Sequence, residues 1–249
     1  MKRIIGQIPN FITCLNLISG LAAVVLSLDG YFVWAGIFIC IAAVFDFLDG
    51  FAARLLKAYS EIGKQLDSLA DLVSFGVAPG AILFTLIKFS MFETNQPIFE
   101  ISATWCEWLI LFSAFLIPVF GAIRLARFNV STEESAFFRG LPIPANGIFW
   151  VSLGLIFETL GNQTLFEIIF STKALLFFSV FFSAMMISNL PMFSFKFKTI
   201  GLKANWFRYL FLILSLGLIL FFKSYGIAFC IVIYILLNVL LYFFKVKYK

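Results

Sequence analysis

Histidine is absent from the 249 residues. That removes the side chain most often used as a general base and the commonest metal ligand. Charge is scarce too: only 12% of residues are Asp, Glu, Lys or Arg, against about 25% in a soluble domain. A soluble globular enzyme, a disordered protein and a nucleic-acid binder are all excluded on that ground. The four cysteines, Cys14, Cys40, Cys106 and Cys230, lie in apolar surroundings with no paired spacing, so they read as small buried hydrophobes. No internal repeat and no low-complexity tract interrupts the chain. What fills it is apolar: 62% of residues are hydrophobic and mean hydropathy is +1.05. The 35 phenylalanines read as lipid-facing and packing surface.

A spanning helix takes ~20 residues. Apolar runs fall at about 11–28, 31–52, 66–89, 105–128, 145–160, 172–192, 207–222 and 225–244. Eight helices would use about 160 residues and leave short loops. The expected fold is therefore all-α: a polytopic membrane helical bundle of about eight transmembrane helices, forming a single domain over 1–249. Met1-Lys2-Arg3 before an apolar stretch has the form of a signal peptide. Pro9, Asn10, Thr13 and Asn16 break its apolar core, which favours a retained first helix.

The positive charges set an expected orientation. With both termini in the cytoplasm, fifteen of the 18 Lys and Arg fall on the cytoplasmic side, among them Lys2, Arg3, Arg54, Lys57, Lys64, Arg124, Arg127, Arg139, Lys196 and Lys245. Only Lys88, Lys173 and Lys223 fall on the other. The net charge of +5 thus reflects loops that stay inside rather than a nucleic-acid partner.

Four aspartates stand where apolar residues belong. The second run ends with Asp46 and Asp49, and the third begins with Asp67 and Asp71. Each costs roughly 2.5–3.5 kcal/mol near the centre of a spanning helix and less near the interface. Asp46 and Asp49 are three apart, and Asp67 and Asp71 four apart, so each pair shares a helix face. A short turn between Arg54 and Gly63 makes the two helices antiparallel neighbours, and the four carboxylates can meet in one pocket. Crowded carboxylates need a balancing cation. Two divalent ions with oxygen preference match their charge, and such a pair clamps a phosphoryl transfer. Gly50 and Ala53 leave room beside the first pair, and Arg54 suits a phosphate. Two other readings stay open at this level: solvated or capping aspartates at helix ends, and an ion or proton pathway.

Taken together, residues 46–71 read Asp, two residues, Asp-Gly, two residues, Ala-Arg, eight residues, Gly, three residues, Asp, three residues, Asp. This resembles the signature of the CDP-alcohol phosphatidyltransferase family at every defined position. The resemblance implies a membrane enzyme, usually a homodimer, with two Mg²⁺ or Mn²⁺ ions. Such an enzyme transfers the phosphatidyl group of a CDP-activated lipid to an alcohol and releases CMP. Pro9 to Asn16 resembles the family's nucleotide-proximal N-terminal segment. Asp67 to Pro79, Arg124 to Asn129 and Gly140 to Ala145 are similar to bacterial phosphatidylserine synthases. The likeness runs over roughly 5–150; residues 151–249 carry apolar helices and no motif.

By this resemblance Asp46, Asp49, Asp67 and Asp71 hold the metals, and Asp71 is also the general base. Thr13, Asn16, Gly50, Ala53, Arg54 and Ser60 bind CDP-diacylglycerol, although Ser60 could equally cap the third helix. Arg124, Arg127 and Asn129 receive the carboxylate of L-serine, or else the arginines only snorkel to the interface. The implied location is the bacterial inner membrane, with the site facing the cytoplasm. Another acceptor, glycerol 3-phosphate or an inositol compound, remains compatible with the metal signature. A cation transporter is the distant alternative.

Overall fold

The computed structural model describes residues 6–130, 137–193 and 202–244. Lys2, Arg3, Lys196 and Lys245, used above for orientation, lie outside them. The architecture is helical. Helices α1 (Ile8–Leu28) and α2 (Phe32–Leu55) form an antiparallel hairpin, closed by a turn at Gly30. Helix α3 (Glu61–Leu72) follows, then a π-helical turn (Val73–Val77), then α4 (Ala78–Phe92). Helices α5 (Trp105–Phe112) and α6 (Leu116–Val130) are joined by a 3₁₀ turn at Ser113–Phe115.

Both interruptions have the same cause. Proline has no N–H to donate and its ring crowds the carbonyl four residues back. Pro79 thereby frees the Phe75 carbonyl, and Pro118 frees that of Ala114. The helix widens before the first and tightens before the second.

The chain continues through β1 (Phe137–Arg139), α7 (Ile143–Thr159), α8 (Gln163–Ile169), α9 (Thr172–Ile187), β2 (Pro191–Phe193), α10 (Leu202–Phe222) and α11 (Ser224–Phe243). The two short strands pair antiparallel, with Phe137 opposite Phe193. Among the described residues six helical stretches are long and apolar enough to span a membrane. A seventh arises if α8 and α9, bent by 47°, count as one span. This differs from the eight apolar runs for a physical reason. The run at 145–160 becomes the 17-residue α7, short of the ~20 residues a span needs. The run at 172–192 becomes the 16-residue α9, which makes a span only together with α8 across the bend.

The stretch Glu61–Phe92 is the axis of the bundle. Its most apolar window is 72% buried inside the protein, against 22–39% for the other five spans. Every residue from Ala78 to Lys88 is enclosed by protein. The outer helices turn Val25, Val44, Phe47, Phe177, Ile213 and Leu220 outward. That pattern suits a lipid solvent, where an apolar exterior carries no penalty. The chain is an integral membrane protein. Lys88 and Lys173 occupy one end of the bundle, where Ser90 and Thr172 share a hydrogen bond of 2.8 Å. Asp67 and Asp71 lie at the opposite end of the same axial stretch, and Asp46 and Asp49 of α2 meet them there.

Candidate active site

The antiparallel arrangement of α2 and α3 brings the four carboxylates together. One oxygen each from Asp46, Asp49 and Asp67 lies within 4.8 Å of the others. Asp46 interacts electrostatically with each of the other three aspartates, so it sits at the centre of the set. Asp49 is buried and the other three are half-buried.

Helix α1 braces the cluster from outside. Thr13 Oγ1 donates to Asp49 Oδ2 at 2.6 Å, and Asn16 Nδ2 donates to Asp71 Oδ1 at 3.5 Å. Thr13 and Asn16 are three apart on one face, and both are buried. The sequence suggested that these two side chains meet a nucleotide; the geometry puts both on the aspartates.

The donor set fits a hard divalent cation. Asp67 Oδ1 is buried and has no hydrogen-bond partner among the described residues. An anionic oxygen without a donor is costly in a low-dielectric setting, and its two carboxylate neighbours worsen the repulsion. Oxygen-only ligands at this spacing are what Mg²⁺-type ions take.

One side of the cluster is open. A Cβ added at Gly50 would meet nothing within 4 Å. Arg54, exposed one turn on, donates from Nε to the Gly50 carbonyl at 3.0 Å. Ala53 is half-buried between them. The Gly50–Ala53–Arg54 face thus offers backbone, space and a guanidinium beside Asp49.

Arg124 of α6 is only 8% exposed. It interacts electrostatically with Asp71 and with Tyr234 of α11. Arg127 is exposed and turns elsewhere, donating from Nη1 to the Ile187 carbonyl at 3.2 Å. The two arginines are three residues apart, and Arg127, nearer the end of α6, reaches the segment before β2 while Arg124 stays buried. Asn129 ties α6 to α3: its Nδ2 donates to Ser68 Oγ at 2.8 Å, and its carbonyl accepts from Lys64 Nζ at 3.2 Å.

A family model for CDP-alcohol phosphatidyltransferases matches residues 6–244. The chain belongs to this family. It is 37% identical over 149 residues to the CDP-diacylglycerol–serine O-phosphatidyltransferase of Methanocaldococcus jannaschii, a match that covers 60% of this chain and 61% of that protein. It is 32% identical over 216 residues to the enzyme of the same name from Helicobacter pylori strain 26695, covering 86% of this chain and 81% of that one. The Bacillus subtilis protein of that name is 33% identical over 153 residues, covering 61% of this chain and 78% of its own length.

In this CDP-alcohol phosphatidyltransferase Ser60 is an N-cap. Its side chain accepts from the Gly63 N–H at 2.9 Å, and the residue is exposed. Ser60→Ala is therefore expected to lower helix stability by about 1 kcal/mol while leaving the KM for CDP-diacylglycerol unchanged. Thermal melting beside a substrate titration checks this; a raised KM at unchanged stability would return Ser60 to the nucleotide.

Three polar residues of the phosphatidyltransferase escaped the sequence reading. Ser74 donates to Asn16. Tyr234 donates from its hydroxyl to the Phe193 carbonyl at 2.8 Å, and Asn238 accepts from the Phe193 N–H at the same distance. The last span thus grips both main-chain groups of one β2 residue, as a neighbouring strand would. The only signal available was polarity inside an apolar helix, which marks an interhelical contact without saying to what.

Proposed function

We propose that the chain is a phosphatidylserine synthase, transferring the phosphatidyl group of CDP-diacylglycerol to the hydroxyl of L-serine. The observation that carries this reading is a buried arginine, Arg124, that interacts electrostatically with Asp71 of the carboxylate cluster. The names of the relatives support serine as the acceptor.

Asp46, Asp49, Asp67 and Asp71 are assigned to two divalent ions, Mg²⁺ or Mn²⁺. Bound there, such ions supply charge neutralisation for a diphosphate and its leaving group. Gly50, Ala53 and Arg54 form the nucleotide side, with Thr13 and Asn16 holding the carboxylates from behind. Arg124 takes the serine carboxylate by its planar fork. Arg127 and Asn129 frame that pocket by fixing the segment before β2 and the α3–α6 contact.

In the reaction, the serine hydroxyl oxygen bonds to the lipid-side phosphorus, and the anhydride bond from that phosphorus to the bridging oxygen breaks. CMP leaves with the bridging oxygen as a phosphate monoester. Asp71 accepts the hydroxyl proton as the new bond forms. By the positive-inside rule the site faces the cytoplasm, where serine and the nucleotide are soluble.

The test is CMP release from CDP-diacylglycerol by the purified protein in detergent with Mg²⁺ or Mn²⁺. Serine, glycerol 3-phosphate and inositol compounds are compared side by side. Release with serine alone is the expected result. Release with another acceptor would keep the metal assignment and overturn the serine pocket.

A further inference from the structure

Asp71 differs from the other aspartates in how it is held. Its Oδ1 accepts from the Asn16 amide, where Asp49 accepts from the Thr13 hydroxyl, and an amide can face either way round. Asn16 presents Nδ2 to Asp71 only because its own Oδ1 is occupied: Ser74 Oγ donates to it at 2.6 Å. The same hydroxyl lies 3.2 Å from the Asn16 carbonyl. Ser74 and Asn16 are both fully enclosed, at 0% exposure, so water does not compete for either group.

Two further features make this contact possible. Ser74 lies in the π-helical turn Val73–Val77 that follows Asp71 directly; single π turns inside helices recur at functional sites. Facing it on α1 is Gly20, where an added Cβ would run into Ser74 Oγ and would lie 2.9 Å from the Ser74 Cα. The backbone is widened on one helix and bared on the other at the same point.

We propose that Ser74 is a positioning residue for Asp71, acting through the Asn16 amide. The hydroxyl fixes which end of the amide meets the carboxylate. The amide then holds one Asp71 oxygen and leaves the other directed at the cluster and the acceptor. This rests on the role proposed for Asp71 above.

The experiment uses the full chain in detergent and two readouts. The first is Mn²⁺ binding without substrate, followed by the spectroscopic signal of free Mn²⁺. The second is steady-state CMP release. Ser74→Ala is expected to weaken binding of one Mn²⁺ by about tenfold and to lower kcat by about tenfold, with the KM for both substrates within about twofold. Combined with Asn16→Ala it is expected to add nothing to the effect of Asn16→Ala alone, because the two act as one unit. If Ser74→Ala fails to fold, Ser74→Cys replaces it; its thiol is close in size but a weak donor, and the same loss is expected in smaller measure. Unchanged Mn²⁺ affinity with unchanged kcat would overturn the proposal, as would an additive double variant. Should the unaltered protein release no CMP with any acceptor, the reaction assignment fails, and Mn²⁺ binding alone decides the role of Ser74.

Discussion

Asp71→Asn is expected to lower CMP release by about 10³-fold, the scale of a lost general base. Binding of CDP with Mn²⁺, followed by thermal stabilisation, should survive better in this variant than in Asp46→Asn. The difference follows from position. Asp46 belongs to the three-oxygen group and also interacts electrostatically with Asp71, so its loss removes the group shared by the whole cluster. Asp71 lies outside that group, beside Arg124. An asparagine there keeps a carbonyl oxygen for Asn16 but cannot take a proton. No histidine exists in the chain to stand in. Near-normal turnover in Asp71→Asn would move the base elsewhere and reduce Asp71 to a ligand.

What the sequence could disclose here was local. Asp46 with Asp49, and Asp67 with Asp71, are paired by helix periodicity, and a carboxylate in an apolar run announces itself by its cost. Their convergence followed from a short turn, which leaves two helices little choice but to lie side by side. The prolines also spoke locally: Pro79 and Pro118 each mark an interruption one turn upstream.

What stayed hidden was tertiary. Hydropathy separates runs but does not register the 47° bend before α9 or the shortness of α7, so eight runs became six or seven spans. Thr13 and Asn16 were visible as polar residues in the first helix, yet their targets lie 36 and 55 residues away. Arg124 and Arg127 look equivalent in sequence. Only the packing of α6 against the segment before β2 separates the buried one from the one that holds Ile187. The grip of Tyr234 and Asn238 on Phe193 gives the motif-free C-terminal span a structural task that no pattern could announce.

That separation makes the second large expectation specific. Arg124→Ala should raise the KM for serine by about 10–100-fold, the equivalent of about 1.5–3 kcal/mol for a hydrogen bond to a charged group. The KM for CDP-diacylglycerol should change little, because Gly50 and Arg54, assigned to the nucleotide, belong to α2 and make their contact with each other. Arg124→Lys should recover only part of the loss, since an ammonium cannot offer the two parallel donors that match a carboxylate. Arg127→Ala removes a contact to a backbone carbonyl at an exposed site, so its effect on serine should be smaller and should come with lower thermal stability. A serine KM unmoved in Arg124→Ala, with normal folding, would remove serine from this pocket. The guanidinium would then serve to balance Asp71, and the acceptor would have to enter from the Arg54 side. Equal losses for both substrates in that variant would instead make Arg124 part of the charge balance of the whole cluster, with no selectivity between the nucleotide and the alcohol.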